Sequence, residues 1–192
     1  MRLPLRPHKG SAYSPCMEIL QSIHDAANKA RIRFLLIGGH ALHVHGVSRS
    51  TGDIDLMVEA HDTDFWKGLL GQLGYNIFNE SSGFIQSKPP SIAAWPVDLM
   101  LVNQDTMTKA LRDAVTTTAF GPSVPVASLV SLIAMKLHAL KFVDEVRALK
   151  DQSDLLSLLE LATIPLDSET FRQLCLRYGT LEWYERIVKF KK

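Results

Sequence analysis

The stretch of residues 37–56, IGGHALHVHGVSRSTGDIDL, joins a glycine turn at Gly38-Gly39 to two carboxylates, Asp53 and Asp55, that stand one residue apart. Glycines let a backbone turn come close to a phosphate and aim its N–H groups at it. Two carboxylates this close repel each other unless a cation lies between them. The stretch therefore indicates phosphate binding and metal binding in one place, which phosphoryl-transfer chemistry requires.

A strand explains how these acids would share one face. Residues 53–59 alternate polar and apolar, and side chains two apart on a strand point the same way, so Asp53 and Asp55 would project together. Asp98 lies in a second strand pattern at 96–102, which would add a third carboxylate if the two strands were neighbours. Three carboxylates can hold two Mg²⁺ ions about 3.5–4 Å apart, which clamp the attacking and leaving oxygens of an in-line displacement.

Hydrophobic periodicity predicts an α/β (α+β) mixed-sheet core with helices, followed by a C-terminal helical region. The predicted strands are 33–37, 53–59, 75–78, 84–87 and 96–102. The predicted helices are 14–30, 40–45, 63–73, 127–142, 150–162, 168–178 and 181–189. Because the pattern becomes helical near Pro125, we predict a core over residues 1–125 and a helical region over residues 126–192.

The composition indicates an ordinary soluble protein. The chain has 192 residues and a net charge of +1, from 21 basic and 20 acidic side chains. This balance predicts no broad basic surface for nucleic acid, because proteins that track phosphates carry a clear basic excess. Cys16 and Cys175 lie far apart and suit a reduced compartment. No segment reads as a signal peptide or a membrane span, so we expect a cytoplasmic protein with no membrane partner.

Residues near the glycine turn have both functional and structural interpretations. Arg49 would either bind phosphate through its guanidinium or fix the loop that it shares with Thr51. His40 would donate a hydrogen bond to a nucleotide. A zinc site with His43 and His45 is disfavoured, because only two of the three histidines would share a helix face and no cysteine is near.

Two further groups come from the helical region. Lys136 lies in an otherwise apolar helix pattern, where a lysine must reach solvent or meet an anion. Asp151 and Asp154 share one helix face, so they would either face the cleft or pair with basic side chains of the same region.

The order of these residues resembles the signature of the DNA polymerase β-like nucleotidyltransferase superfamily. In that signature hG[G/S] is followed, after roughly ten residues, by Dh[D/E]h and later by an hDh strand. The form GG.AL...G..R.T.DID is most similar to the AbiEii-type branch, the nucleotidyltransferase toxins of bacterial toxin–antitoxin systems. Residues 136–155 are also similar to a helical element of that branch, through Lys136, Arg147, Lys150-Asp151 and Asp154-Leu155.

The resemblance implies a nucleotidyltransferase fold and a role for each matching position. The implied metal ligands, for two Mg²⁺ ions or alternatively Mn²⁺, are Asp53, Asp55 and Asp98. Together with Lys136, which would reach the phosphates, these form the predicted catalytic set. The predicted nucleotide-binding residues are Gly38, Gly39, His40, Arg49, Thr51 and Asp154. Many members of the superfamily have Ser at the position of Gly39, so only the backbone donor would remain here.

The implied function is transfer of an NMP from an NTP to an acceptor hydroxyl, with release of pyrophosphate. A tRNA 3′ end is the predicted acceptor, in a toxin-like enzyme with a cognate antitoxin as partner. The alternatives are a protein- or small-molecule (antibiotic) nucleotidylating enzyme and a non-catalytic nucleotide-binding module. The three clustered acids argue against the module, because unused carboxylates would only repel one another.

Overall fold

A computed structural model describes residues 14–142 and 145–189 of the chain. Within these residues the strands are β1 (Phe34–Leu36), β2 (Ile54–Glu59), β3 (Asn76–Glu80), β4 (Phe84–Lys88), β5 (Val97–Val102), β6 (Val115–Thr117) and β7 (Val124–Val126). The α-helices of the same ranges are α1 (Ser14–Ala30), α2 (Gly38–Val44), α3 (Thr63–Gln72), α4 (Gln104–Arg112), α5 (Leu129–Ala139), α6 (Glu145–Leu161), α7 (Glu169–Tyr178) and α8 (Leu181–Lys189). The ends of the two predicted regions, residues 1–13 and 190–192, lie outside the described residues.

The strands form one mixed sheet in the order β3-β4-β5-β2-β1-β7-β6. β2 runs parallel to β5 and antiparallel to β1, and β7 runs parallel to β1. The β3–β4 hairpin extends one edge and β6 the other, both through antiparallel pairs. The central place of β2 agrees with its apolar sequence, since Ile54, Leu56 and Val58 are completely buried.

The predicted α/β class and most of its elements are confirmed. α1 has the predicted bounds, and its buried face consists of Leu20, Ile23 and Ala27 at helical spacing. β2 and β5 begin one residue later than predicted and end where predicted. α6 begins earlier than the prediction of residue 150, at Glu145.

Three elements escaped the sequence prediction. α4 has a mostly polar sequence and buries only Met107 and Ala110, although the Asn103 side chain caps it by accepting from the Thr106 N–H. β6 and β7 have only three residues each, too few for a clear alternating pattern. β7 also contains Pro125, and a proline in a sequence segment argues against predicting a strand there.

The helical region shares its core with the sheet. α5 packs against α6 and α7, and α7 packs against α8. The indole N–H of Trp183 on α8 donates to the Leu140 carbonyl over 2.7 Å. Buried side chains of these helices, such as Leu137, Leu155 and Phe171, belong to the same apolar cluster as those of the sheet. The division between residues 125 and 126 falls inside β7 and stays a prediction.

None of the helices in residues 14–142 and 145–189 is both long enough and apolar enough to cross a membrane.

Candidate active site

A row of polar side chains crosses four neighbouring strands, from the central strand β2 to the edge strand β3. Asp55 on β2 is in register with Asp98 on β5, Asp98 with Gln86 on β4, and Gln86 with Asn79 on β3. Directly opposite residues of paired strands lie on the same face of a sheet. The two strands are neighbours, which is the condition that the sequence left open, and their register brings Asp98 beside Asp55.

Burial and like charges act on Asp55. Burial of its carboxyl, together with the negative charges of Asp53 and Asp98, raises the pKa of Asp55 to about 6. The backbone N–H of Gly39 partly offsets these effects by donating a hydrogen bond to this carboxyl. A carboxylate held against two others is a group that a divalent cation would stabilise in its charged form.

Asp53, immediately before β2, has a different environment. Burial pushes the pKa of its carboxyl up, but the hydrogen bond from Thr51 and the positive charges of Lys150 and Arg49 outweigh burial, so the pKa lies below its usual value. The Thr51 hydroxyl donates to Asp53 Oδ1 over 2.7 Å. Thr51 therefore keeps Asp53 charged, although it does not itself line the cavity described below.

The glycine turn packs directly against these acids. Gly38 has a φ of +63°, and a Cβ at this position would overlap the Asp55 carboxylate. A Cβ on Gly39 would overlap the Thr51 side chain, which stands close to its backbone. This contact gives a physical reason for Gly39, at a position where many members of the superfamily that the sequence resembles have Ser. Both glycines allow the turn and the acids to come within contact distance.

Lys136 on α5 meets two carboxylates of α6. Its Nζ lies 2.6 Å from Asp151 Oδ1 and 2.7 Å from Asp154 Oδ2. Asp154 Oδ1 also lies 3.3 Å from Nε of Arg49, at an angle too poor for a directed hydrogen bond, so this contact is electrostatic. Lys136 thus meets anions from its own chain, and its predicted contact with phosphate stays a prediction. Arg49 is tied through Asp154 to the helical region.

Replacing Lys136 by methionine would leave Asp151 and Asp154 without their shared cation. Both carboxylates are more than nine-tenths buried, so we expect the variant to lose about 3–5 kcal/mol of unfolding free energy, as measured by urea denaturation. Lys109→Met, at an exposed lysine of α4 away from the cavity, is the matched control and should change stability little. Equal stabilities of the two variants would contradict the structural role of the Lys136 ion pairs.

His40 on α2 is buried in an aromatic cluster. Its ring stacks on Trp95 with a centroid distance of 4.9 Å and meets Phe120 edge-on at 5.3 Å. Burial, with a further contribution from the charge of His43, lowers the pKa of His40 to about 4, so the ring is neutral at physiological pH. His40 does not line the cavity, and its predicted hydrogen bond to a nucleotide stays a prediction.

A cavity of about 240 Å³ opens above the acidic row, between the sheet and helices α5 and α6. Six of the predicted site residues line it: Gly38, Arg49, Asp53, Asp55, Asp98 and Lys136. The others are not part of the lining: Gly39, His40, Thr51 and Asp154.

The cavity also has lining residues that the sequence analysis did not identify. Gln86 and the half-exposed Phe84 come from β4, Met100 from β5, and Met135 from α5. The Gln86 amide donates to Asp98 Oδ2 over 3.0 Å. The period-two pattern of residues 84–88 could have indicated that Phe84 and Gln86 share a face, but not which face.

The acids suit a hard divalent cation in their chemistry, since such ions prefer carboxylate oxygens. Within residues 14–142 and 145–189, no group of three or more His, Cys, Asp or Glu side chains is already drawn together in the arrangement of a metal site. Thr51 and Gln86 each bind one oxygen of Asp53 and Asp98, respectively. Burial and the charges of Asp53 and Asp98 raise the pKa of Asp55, and a bound cation would favour its charged form. Asp53, Asp55 and Asp98 are therefore the residues that could hold Mg²⁺.

Solved structures with a similar fold are nucleotidyltransferases. ANT(2″)-Ia in complex with adenylyl-2″-tobramycin matches with a TM-score of 0.61 and 17% identity, over 85% of this chain and 96% of that chain. The lincosamide antibiotic adenylyltransferase LnuA, with lincomycin bound, has a TM-score of 0.53 and 18% identity, over 77% of this chain and 97% of that chain. The Megavirus polyadenylate synthase has a TM-score of 0.56 and 13% identity, over 82% of this chain and 33% of that chain.

At identities this low, the similarities establish the fold alone. The chain has the nucleotidyltransferase fold. No family model matches the sequence, and no curated protein matches it.

Proposed function

We propose that the chain is a Mg²⁺-dependent nucleotidyltransferase, which moves an NMP from an NTP to an acceptor hydroxyl and releases pyrophosphate. The observation that carries this proposal is the register of Asp55 with Asp98 on neighbouring parallel strands, against the turn at Gly38. The nucleotidyltransferase fold supports it. A phosphate-binding turn and a metal-binding acidic row in one cavity are the two devices that the reaction needs.

Each acid would have a distinct task. Asp53 and Asp55 would hold the metal, and bound Mg²⁺ would neutralise charge on the phosphates. Asp98 would orient the acceptor hydroxyl and take its proton as the new O–P bond forms and the bond to pyrophosphate breaks. The positive charges of Lys150 and Arg49 lower the pKa of Asp53, so both side chains lie close enough to this acid to contact the phosphates as well.

The sheet order supports an acceptor that approaches from the side of β4. Attacking and leaving oxygens lie on opposite sides of the phosphorus in an in-line displacement. If pyrophosphate leaves along the turn at Gly38, which follows β1, the acceptor enters from the far side of Asp98. On that side the cavity is lined by Phe84 and Gln86 of β4.

We favour a small hydroxylated molecule as that acceptor. The described surface near the cavity offers few free basic groups for RNA, because Lys136 is paired with Asp151 and Asp154. Lys141 and Lys150 remain exposed there, and the side chain of Arg147 lies outside the described residues. Two enzymes of similar fold and length were solved with an adenylylated antibiotic or an antibiotic bound, which supports this acceptor class.

The second candidate is transfer to a tRNA 3′ end by a toxin-like enzyme with a cognate antitoxin. Its support is the sequence motif GG.AL...G..R.T.DID, which is most similar to the AbiEii-type toxins. Modification of a protein hydroxyl would use the same site chemistry.

The acceptor classes separate in one experiment. Purified protein is incubated with Mg²⁺, each α-labelled NTP in turn, and tobramycin, lincomycin, total tRNA or cytosolic protein. We expect label in a small-molecule product whose mass has increased by one NMP. Label only in tRNA or only in protein would replace this acceptor with the corresponding one. Tight NTP binding without release of pyrophosphate in any mixture would support the non-catalytic module instead.

A further inference from the structure

We infer that Gln86, held by Asn79, is a positioning residue for Asp98, and that this pair presents the free oxygen of the Asp98 carboxylate to the metal. The inference rests on the proposed function for its catalytic consequence. It names two residues, on the outer hairpin of the sheet, that the sequence motifs do not include.

Two hydrogen bonds connect the three side chains in a line. The Asn79 Nδ2 donates to Gln86 Oε1 over 2.8 Å, and the Gln86 Nε2 donates to Asp98 Oδ2 over 3.0 Å. The residues are also in register across three adjacent strands. Backbone pairing and side-chain hydrogen bonds therefore specify the same row.

The chemistry of the row allows only one orientation of the Gln86 amide. An ionised Asp98 carboxylate only accepts hydrogen bonds, so the amide must turn its NH₂ group toward Asp98. Its carbonyl oxygen then faces β3, where it needs a donor, and the Asn79 NH₂ group is that donor. Without Asn79, the Gln86 amide would lose the hydrogen bond that holds its carbonyl oxygen, and the side chain would be less firmly placed against Asp98.

The backbone of β3 is irregular at the point that brings Asn79 opposite Gln86. Asn76 and Ile77 pair regularly with Lys88 and Ser87, but the register then shifts between Ile77 and Asn79. Regular pairing would have placed Phe78 opposite Gln86, and the shift places Asn79 there instead. A bulge re-aims a side chain in this way, and bulges are frequent next to active sites.

Fixing one oxygen of Asp98 leaves the other in a defined direction. Gln86 binds Oδ2, so the carboxylate cannot rotate freely, and Oδ1 is the oxygen available to a ligand. Groups that hydrogen-bond to ligating carboxylates orient them, and their loss lowers metal affinity or activity by about 10–100-fold. Asn79 acts only through Gln86, so its own effect depends on Gln86 being present.

The test compares Gln86→Met, Asn79→Ala and the double variant with wild-type protein. Asn76→Ala, at another exposed position of β3, is the matched control. Two measurements are made on each protein: kcat and KM for the NTP, and Mn²⁺ affinity by electron paramagnetic resonance. We expect Gln86→Met to lower kcat and Mn²⁺ affinity by about 10-fold or more, with KM for the NTP little changed.

The double variant supplies the readout that a merely structural role would not give. If Asn79 acts through Gln86, Asn79→Ala lowers Mn²⁺ affinity in the wild-type background and has no further effect in the Gln86→Met background. Additive effects of the two substitutions, or wild-type Mn²⁺ affinity in Gln86→Met, would overturn the inference. Failure of wild-type protein to bind Mn²⁺ would overturn it as well.

Mn²⁺ binding also separates this inference from the proposed function. If the wild-type protein shows no turnover with any acceptor but loses Mn²⁺ affinity when Gln86 is replaced, the positioning role stands and the proposed function fails.

Discussion

Replacing Asp55 by asparagine is expected to stabilise the metal-free protein at neutral pH and to abolish its response to Mg²⁺. Burial and the charges of Asp53 and Asp98 raise the pKa of Asp55 to about 6, so the charged carboxylate is disfavoured in the folded state. A shift of this size corresponds to at most about 3 kcal/mol, because one pKa unit is about 1.4 kcal/mol. Asparagine keeps an acceptor for the Gly39 N–H and removes the charge.

The stability that Asp55→Asn gains over wild-type protein should depend on pH in one direction only. Below about pH 4 the Asp55 carboxyl is protonated in both the folded and the unfolded chain. Asp55→Asn and wild-type protein should therefore have nearly the same stability there. As the pH rises toward 6, the unfolded chain loses its proton first, and the folded wild-type protein becomes less stable. The gain in melting temperature of Asp55→Asn should therefore appear between about pH 4 and 6 and be full above pH 6.

Asp53→Asn is the matched control, because its effect should have the opposite sign. The hydrogen bond from Thr51 and the charges of Lys150 and Arg49 hold the pKa of Asp53 below its usual value, in spite of burial. The charged form of Asp53 therefore stabilises the fold at neutral pH, and asparagine should lower the melting temperature. Thermal unfolding of both variants and of wild-type protein is measured at several pH values, with and without Mg²⁺. A lower melting temperature for Asp55→Asn at pH 8 would contradict the electrostatic account.

Replacing Gly38 by alanine should cost more stability than any other glycine substitution in the site. Its φ of +63° disfavours a side chain, and the added Cβ would overlap the Asp55 carboxylate. The backbone term is about 1–2 kcal/mol and the overlap adds about 1–3 kcal/mol. Because Asp55 must move to make room, we also expect turnover to fall at least about 100-fold, as in other displacements of reacting groups by about 1 Å.

Gly46→Ala separates the backbone contribution to the lost stability from the contribution of the overlap with Asp55. Gly46 has a φ of +94°, but a Cβ there would meet no atom within 4 Å, so only the backbone term of about 1–2 kcal/mol applies. Urea denaturation and turnover are measured for both variants. Equal losses of stability, with turnover retained in Gly38→Ala, would show that close packing of the turn on Asp55 has no role.

The candidate acids Asp53, Asp55 and Asp98 could be identified in the sequence because each lies in a local strand pattern. The period of a strand puts Asp53 and Asp55 on one side, and the apolar neighbours of Asp98 indicate a second buried strand. That β2 and β5 are adjacent, with Asp55 opposite Asp98, is a long-range pairing that no local pattern specifies.

The supporting contacts could not be predicted, for physical reasons that differ. The pairing of Asn79 with Gln86 depends on an irregular register inside the β3–β4 hairpin. The ion pairs of Lys136 join two helices and depend on how α5 packs on α6. The burial of His40 depends on Trp95 and Phe120, which come from distant parts of the chain.

The most direct test of the central claim is pyrophosphate release by wild-type protein, with NTP, Mg²⁺ and the acceptor panel, beside Asp53→Ala and Asp98→Ala. The account predicts release that requires Mg²⁺ and an acceptor, with a loss of at least about 100-fold in both variants although they remain folded by circular dichroism. Release that is undiminished in folded Asp53→Ala or Asp98→Ala protein would contradict the assignment of the acidic row as the catalytic centre.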